Sequence, residues 1–337
     1  MSTSRDLVRC ALEFRSPSRV PRQLWTLPWA KNHYPQELAE IQRRFPDDIV
    51  AAPACLRRPP AVQGDPYVVG TFVDEWGCIF ENIQEGVHGE VKTPAIPDWS
   101  RADEIRFPEE RLTVDVEAVN AFCRNTDRFV LAGTCPRPFE RLQFYRGSAN
   151  LYTDLGEGRP EMLAFLQRLH AFYMAELEIW VRTEVDALQF MDDWGAQRAL
   201  LISPAMWRRL FKPLYKDYID IAHRHGKKIF MHSDGYIAPI IGDLVELGLD
   251  ALNCQLFTMD IEELGRRFAG KITFWGEIDR QYLLPSGTPA EIAAAVRRVK
   301  DALWRNGGCI AQCEFGPGGK PENVYQVFKT WEDLVHE

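Results

Sequence analysis

Five short polar segments, each directly after a β-like run, hold most of the reactive side chains in the second half of this chain. They read Met191-Asp192-Asp193-Trp194-Gly195, Met231-His232-Ser233-Asp234-Gly235, Asn253-Cys254-Gln255, Trp275-Gly276-Glu277-Ile278-Asp279 and Ala311-Gln312-Cys313-Glu314. An imidazole, two thiols and several carboxylates are the groups that bind a divalent metal or move protons. His232 and Asp234 sit two apart at a strand end and so point to the same side. His232 and Cys313 offer the nitrogen and sulfur that zinc favours. A catalytic zinc takes a third protein ligand, for which Asp234, Cys254, Glu277 and Glu314 are candidates. The same residues also read without a metal, as a hydrogen-bonded His–Asp pair and a cysteine acting as a small buried hydrophobe. Of the carboxylates Asp192, Asp193, Glu277 and Asp279, one or two are expected to cap helices or tie loops. Asp193 and Glu277 are the two expected to orient substrate, fix the tautomer of His232, or act as acid or base.

Residues so far apart in sequence need a fold that gathers strand ends. From about residue 160 onward, β-like runs at 187–192, 228–232, 251–254, 272–275 and 309–312 alternate with helical patterns. That alternation implies βα units and a parallel sheet. Earlier runs at 23–27, 48–52 and 129–133 bring the count to eight. The expected fold is therefore α/β, a (β/α)8 TIM barrel formed by one domain over residues 1–337, whose strands end at a common mouth. No GxGxxG follows a strand, so a dinucleotide fold has no support. A β-hairpin insertion near residues 66–95, rich in glycine and aromatic residues and followed by prolines, is expected to wall or cover that mouth.

Composition narrows the partners. A net charge of −8 over 337 residues argues against nucleic acid, and no run approaches membrane-spanning length. Eight scattered cysteines without a CxxC, and no apolar leader, point to a cytoplasmic protein with reduced thiols and a small-molecule substrate. Trp25, Trp29 and Trp76 are the expected pocket walls, and Gln255 and Asp279 the expected polar contacts at the mouth. Of Arg137, Arg141 and Arg146, one is expected to grip a substrate carboxylate or phosphate, with Arg137 favoured and the others solvated at the surface. Gly316-Pro-Gly-Gly-Lys320 reads as a turn, and His223-Arg224-His225 as a helix C-terminus.

Several of these segments together resemble the uroporphyrinogen decarboxylase-like family. They are Asp74-Glu-Trp-Gly77, Asp192-Asp-Trp-Gly195, Ile202-Ser-Pro-Ala-Met-Trp-Arg-Arg-Leu-Phe-Lys-Pro213, Ala222-His-Arg-His-Gly226, His232-Ser-Asp-Gly235, Leu249-Asp-Ala-Leu-Asn253, and Cys313 with Pro321-Glu-Asn-Val324. The resemblance implies a (β/α)8 barrel and one of two chemistries. One is cofactor-free decarboxylation of a tetrapyrrole. The other is zinc-dependent methyl transfer between a corrinoid, carried on a separate protein, and a thiol. In the second branch a His-x-Cys pair and a later cysteine hold the metal. His232 and Cys313 match the outer two, and Asp234 stands at the middle cysteine, giving the zinc a harder oxygen ligand. The arginine-rich loop of the decarboxylases is matched here by Leu24-Trp-Thr-Leu-Pro-Trp-Ala-Lys31, which has one cation. The expectation is a methyltransferase of one-carbon metabolism with zinc on His232, Cys313 and Asp234. The alternatives are a metal-free decarboxylase acting on a smaller carboxylate and a non-catalytic binding relative. Dimerisation is what the resemblance implies for assembly.

Overall fold

A computed structural model describes residues 2–334. Its strands are β1 (Arg22–Thr26), β2 (Ile49–Ala51), β3 (Gly70–Val73), β4 (Ile79–Asn82), β5 (Glu90–Val91), β6 (Phe129–Leu131), β7 (Ala187–Met191), β8 (Lys228–Ser233), β9 (Ala251–Cys254), β10 (Thr273–Trp275) and β11 (Cys309–Phe315). Eight of them form one parallel sheet in the order β1-β11-β10-β9-β8-β7-β6-β2, the (β/α)8 barrel. Among the described residues no helix is long and apolar enough to cross a membrane.

The two-residue period of the strands separates two cores. Ile49, Phe129, Leu131, Ala187, Phe230, Ala251, Trp275 and Ile310 fill the barrel interior, with Trp25 packed against them. Val8 and Leu12 of the helix Ser4–Leu12 plug this core at the amino ends of the strands, where Arg5 N–H donates to the Asp127 carbonyl and Gly308 N–H to that of Ala11. A Thr3–Asp6 capping box starts that helix. Residues of opposite parity, such as Leu24, Val130, Leu188, Phe190, Met231, Leu252, Cys254 and Cys313, join the core beneath the surrounding helices.

The barrel closes by unequal means. β1 and β2 share no ladder. Asp48 N–H donates to the Arg22 carbonyl at 2.8 Å, and the carboxylates of Asp48 and Asp47 accept from the N–H groups of Arg22 (2.9 Å) and Leu24 (2.7 Å). Side chains there do the work of a missing strand neighbour.

The expected hairpin is a three-stranded antiparallel sheet, β3-β4-β5, running in register from Gly70↔Asn82 to Val73↔Ile79 with β5 added on β4. Asp74 makes its turn: one carboxylate oxygen accepts from the N–H groups of Trp76 (3.0 Å) and Cys78 (2.8 Å). Gly77 supplies the positive φ of 76° that the turn needs.

Candidate active site

His232 is the inward-facing residue at the end of β8, and its ring is fixed on both sides. Nδ1 lies 2.6 Å from Asn253 Oδ1. The amide of Asn253 donates through Nδ2 to the Trp275 carbonyl, which leaves Oδ1 as the acceptor and puts the proton on Nδ1. Nε2 then carries the lone pair that a metal or proton takes. It faces two carboxylates, Asp193 Oδ1 at 3.5 Å and Asp234 Oδ1 at 3.6 Å. Trp25 lies against the ring at a centroid distance of 5.3 Å, with Trp275 edge-on to Trp25 at 5.0 Å. Gln23 Oε1 accepts from both indoles, at 3.1 and 3.0 Å.

Two glycines bring the carboxylates together. A Cβ on Gly195 would meet Gly235 C at 2.3 Å, and one on Gly235 would meet Gly195 O at 2.1 Å. The loops after β7 and β8 thus pack backbone on backbone, and Asp234 N–H donates to Asp193 Oδ1 at 2.8 Å. One ligand atom from each of Asp193, His232 and Asp234 lies within 4.8 Å of the others, the one such group among the described residues. Asp234 Oδ1 is buried without a hydrogen-bond partner.

Arg280 neutralises part of the surrounding negative charge. Its guanidinium contacts Asp234 Oδ2, Glu314 Oε2 at 3.2 Å and Glu277 Oε1 at 3.6 Å. Burial pushes the carboxyl of Glu277 well up from its ordinary value, against the pull of Arg280, and its Oε2 has no partner. Burial also raises Glu314, opposed by Arg280, and Asp193, opposed by His232. The site holds more carboxylates than cations, and an added positive charge would lower all of them.

Cys313 corrects the expected ligand set. It pairs in register with Leu24, is fully buried in the core under the helices, and has a thiol pushed well up by burial. Its neighbour Glu314 has the inward parity. Asp193, not Cys313, stands beside His232 and Asp234, and Cys254 faces outward as Cys313 does. Asp279 caps a turn, accepting from the N–H groups of Gln281 (2.8 Å) and Tyr282 (2.9 Å). Asp192 is structural as well, accepting from Glu140 N–H at 2.8 Å and Tyr215 O–H at 2.7 Å. Gln255 positions a loop, its Oε1 accepting from Gly235 N–H at 3.1 Å. Trp29 stacks on His33 at 4.3 Å. Trp76, an expected pocket wall, sits in an aromatic cluster with Phe107, Phe172 and Tyr173 and lines the cavity of about 1040 Å³ beside the β3-β4-β5 sheet. Arg141 and Arg146 are not surface residues: they form buried ion pairs with Asp74 and Asp154, each at 2.6 Å.

Sequence reasoning gave no role to Asn253, Gln23, Glu140 or Arg280. Arg280 follows directly on Glu277-Ile278-Asp279, so adjacency was the available signal. For Asn253 and Gln23 the signal was inward parity on strands with apolar neighbours.

A cavity of about 1040 Å³ lies between the β3-β4-β5 sheet and the barrel. Phe72, Phe80 and Phe144 line it on one side, and Arg137, Glu140 and Gln189 on the side toward the barrel. Burial raises the carboxyl of Glu140, opposed first by Arg137.

The uroporphyrinogen decarboxylase (URO-D) family profile matches residues 74–334. No curated protein matches the chain. Among solved structures, a methyltransferase from Methanosarcina mazei is similar over 99% of each chain, at TM-score 0.71 and 15% identity. A B12-independent methionine synthase from Shewanella sp. W3-18-1, in complex with selenomethionine, covers 88% of this chain and 85% of its own, at TM-score 0.50 and 11% identity. At such identities the likeness speaks for the fold.

Proposed function

The chain belongs to the uroporphyrinogen decarboxylase family, and from that premise we propose that it is a zinc-dependent methyltransferase. It moves a methyl group between a methylated small molecule, or a corrinoid on a separate protein, and a thiol acceptor. The observation that carries this reading is the convergence of Asp193, His232 and Asp234 at the barrel mouth. Two structural neighbours, a methyltransferase and a methionine synthase, support it.

The donor set fits the ion. Zinc accepts imidazole nitrogen with carboxylate oxygen, and the unpartnered Asp234 Oδ1 faces His232 Nε2 at 3.6 Å. Bound zinc would supply a positive charge that holds an acceptor thiol as its thiolate at neutral pH. The chain's own groups do the rest. Asn253 keeps His232 protonated at Nδ1, so Nε2 stays free for the ion. Arg280 offsets the charge of Asp234 and Glu314. Glu277, its carboxyl raised by burial and its Oε2 unpartnered beside Arg280, is placed to exchange a proton at the mouth. Trp25, held edge-on by Trp275, covers one face of His232.

Metal analysis tests the reading. Purified protein should hold one zinc per chain, with His232→Ala and Asp234→Ala each losing it and losing methyl transfer from methylcobalamin to a thiol. Metal-free protein of undiminished activity would refute the proposal. Metal-free protein that fails at methyl transfer but releases carbon dioxide from a carboxylated substrate would instead favour a carboxy-lyase, a reading supported by Arg280, which sets a cation among Asp234, Glu277 and Glu314.

A further inference from the structure

Asp234 divides its carboxylate between two neighbours. Its Oδ1 is buried without a hydrogen-bond partner and faces His232 Nε2 at 3.6 Å, while its Oδ2 accepts from Arg280. The same guanidinium reaches Glu314 Oε2 at 3.2 Å and Glu277 Oε1 at 3.6 Å, so two further carboxylates can hold it. Glu314, Gly316 and Gly319 line a cavity of about 220 Å³ beside Arg280, and Asp234 does not, which leaves the head group room to move away from Asp234. The turn that carries Arg280 is lightly tied. Asp279 accepts from the N–H groups of Gln281 (2.8 Å) and Tyr282 (2.9 Å) within the turn, and Gln281 accepts one side-chain bond at 3.2 Å from Gln197 in the loop after β7. Firm anchorage begins at Leu284, which is fully buried. Asn323 donates there to the carbonyls of Leu283 (3.3 Å), Leu284 (3.0 Å) and Gly287 (2.9 Å).

We propose that Arg280 is a positioning residue that competes with the metal for Asp234. With no ion bound, it holds Oδ2. When an ion joins His232 and Oδ1, the guanidinium shifts onto Glu314 and Glu277, and the turn 279–282 loosens with it. Charge is the ground for this. A guanidinium and a divalent ion on the two oxygens of one carboxylate repel each other, and more strongly in a buried site than in water. Coupling is reciprocal: the factor by which Arg280 weakens metal binding is the factor by which metal weakens the Arg280–Asp234 pair. Glu314 and Glu277 let the guanidinium yield without leaving a buried charge unpaired. An Arg280 that merely held Asp234 in place would act the other way, since its loss would weaken metal binding. The sign of the effect separates the two. This takes the ion from the zinc reading above and adds what opposes it.

Zinc titration of the intact, metal-stripped protein against a chromophoric chelator tests it. Arg280→Gln should bind zinc at least about ten-fold tighter than wild type. Arg280→Lys keeps the charge and should stay within about three-fold of wild type. Hydrogen exchange of the wild-type protein gives a second readout that needs no variant, and it decides alone if Arg280→Gln does not fold. Adding zinc should raise exchange at residues 280–282 and leave Leu284–Gly287 unchanged. Zinc binding by Arg280→Gln that equals or falls below wild type, or zinc-bound wild type with unaltered exchange at 280–282, would each overturn the proposal. The outcomes separate from those above. Wild type that takes up no zinc while Arg280→Gln does would remove the zinc reading and keep the competition. Stoichiometric zinc in the wild type with no gain in Arg280→Gln would do the reverse, and uptake by neither protein would end both.

Discussion

From β7 round to β1 the barrel is held by continuous parallel ladders, running from Ala187↔Lys228 to Met191↔His232 at one end and from Arg22↔Ala311 to Thr26↔Phe315 at the other. The rest of the circuit has two weak joints. β2 and β6 share a three-pair ladder, Ile49↔Phe129 to Ala51↔Leu131, but Leu131↔Ala187 alone registers β6 on β7, and Asp47 and Asp48 bridge β1 to β2. The side chains around His232 come from the laddered side. The cavity and its sheet belong to the other. Groups that must meet within a few tenths of an ångström sit on strands with fixed register, while the surface that shapes a ligand is built from short strands and side-chain bridges.

The largest expected effect lies on the bridged side. Arg141 is buried, pairs with Asp74 and stacks over Trp76 at 4.7 Å. Arg141→Met strips the partner from a buried carboxylate, which costs about 3–5 kcal/mol in denaturant unfolding. Hydrogen exchange should then rise in residues 70–91 and hold steady in β7–β11. Uniform loosening of both sides would break the comparison. On the laddered side, Asn253→Ala frees Nδ1 of His232 without moving a ligand. Metal affinity should fall about 10- to 100-fold, read by competition with a chromophoric chelator, with the barrel still folded.

The two sides were unequally legible in the sequence. Strands on the laddered side announce themselves by apolar runs that end in polar residues, and β7 to β11 lie where those runs predict. The hairpin was visible as well, but its third strand is two residues long and leaves no periodic signal. The β1–β2 seam was invisible, because an aspartate that accepts from a strand backbone looks like any loop aspartate. Within the site, residue type pointed to His232, Asp193 and Asp234. Facing decided Cys313, and alternation counted back from His232 cannot set the register of a strand so far along the chain. Arg141 and Arg146 were misread because arginine is usually solvated. Their partners Asp74 and Asp154 are distant in sequence or on another helix.

The seam makes a pH test. Burial pushes the carboxyl of Asp47 up to about 6, against the hydrogen bond it accepts from Leu24. Between the ordinary carboxylate value and about 6, the folded chain therefore keeps a proton that the unfolded chain releases. Stability falls as pH rises through that window and levels off above it. Asp47→Asn keeps an acceptor for Leu24 N–H and removes the titration. It should flatten the pH dependence and add about 1–2 kcal/mol at pH 7, the shift being discounted for partial exposure. A variant with the wild-type pH profile would show that the seam does not feel this charge.

The smallest effect is the sharpest test of facing. Cys313 and Glu314 are neighbours in β11, and strand geometry sends one under the helices and the other into the mouth. Cys313→Ala removes one buried sulfur, and a loss of about 1 kcal/mol in stability is expected with metal content unchanged. Glu314→Gln removes a charge 3.2 Å from Arg280 and leaves the packing intact, so stability should hold while metal affinity drops a few-fold. If instead Cys313→Ala stays folded and loses its metal, the thiol is a ligand, β11 is out of register by one residue, and the division between interior and helix-facing residues fails along that strand.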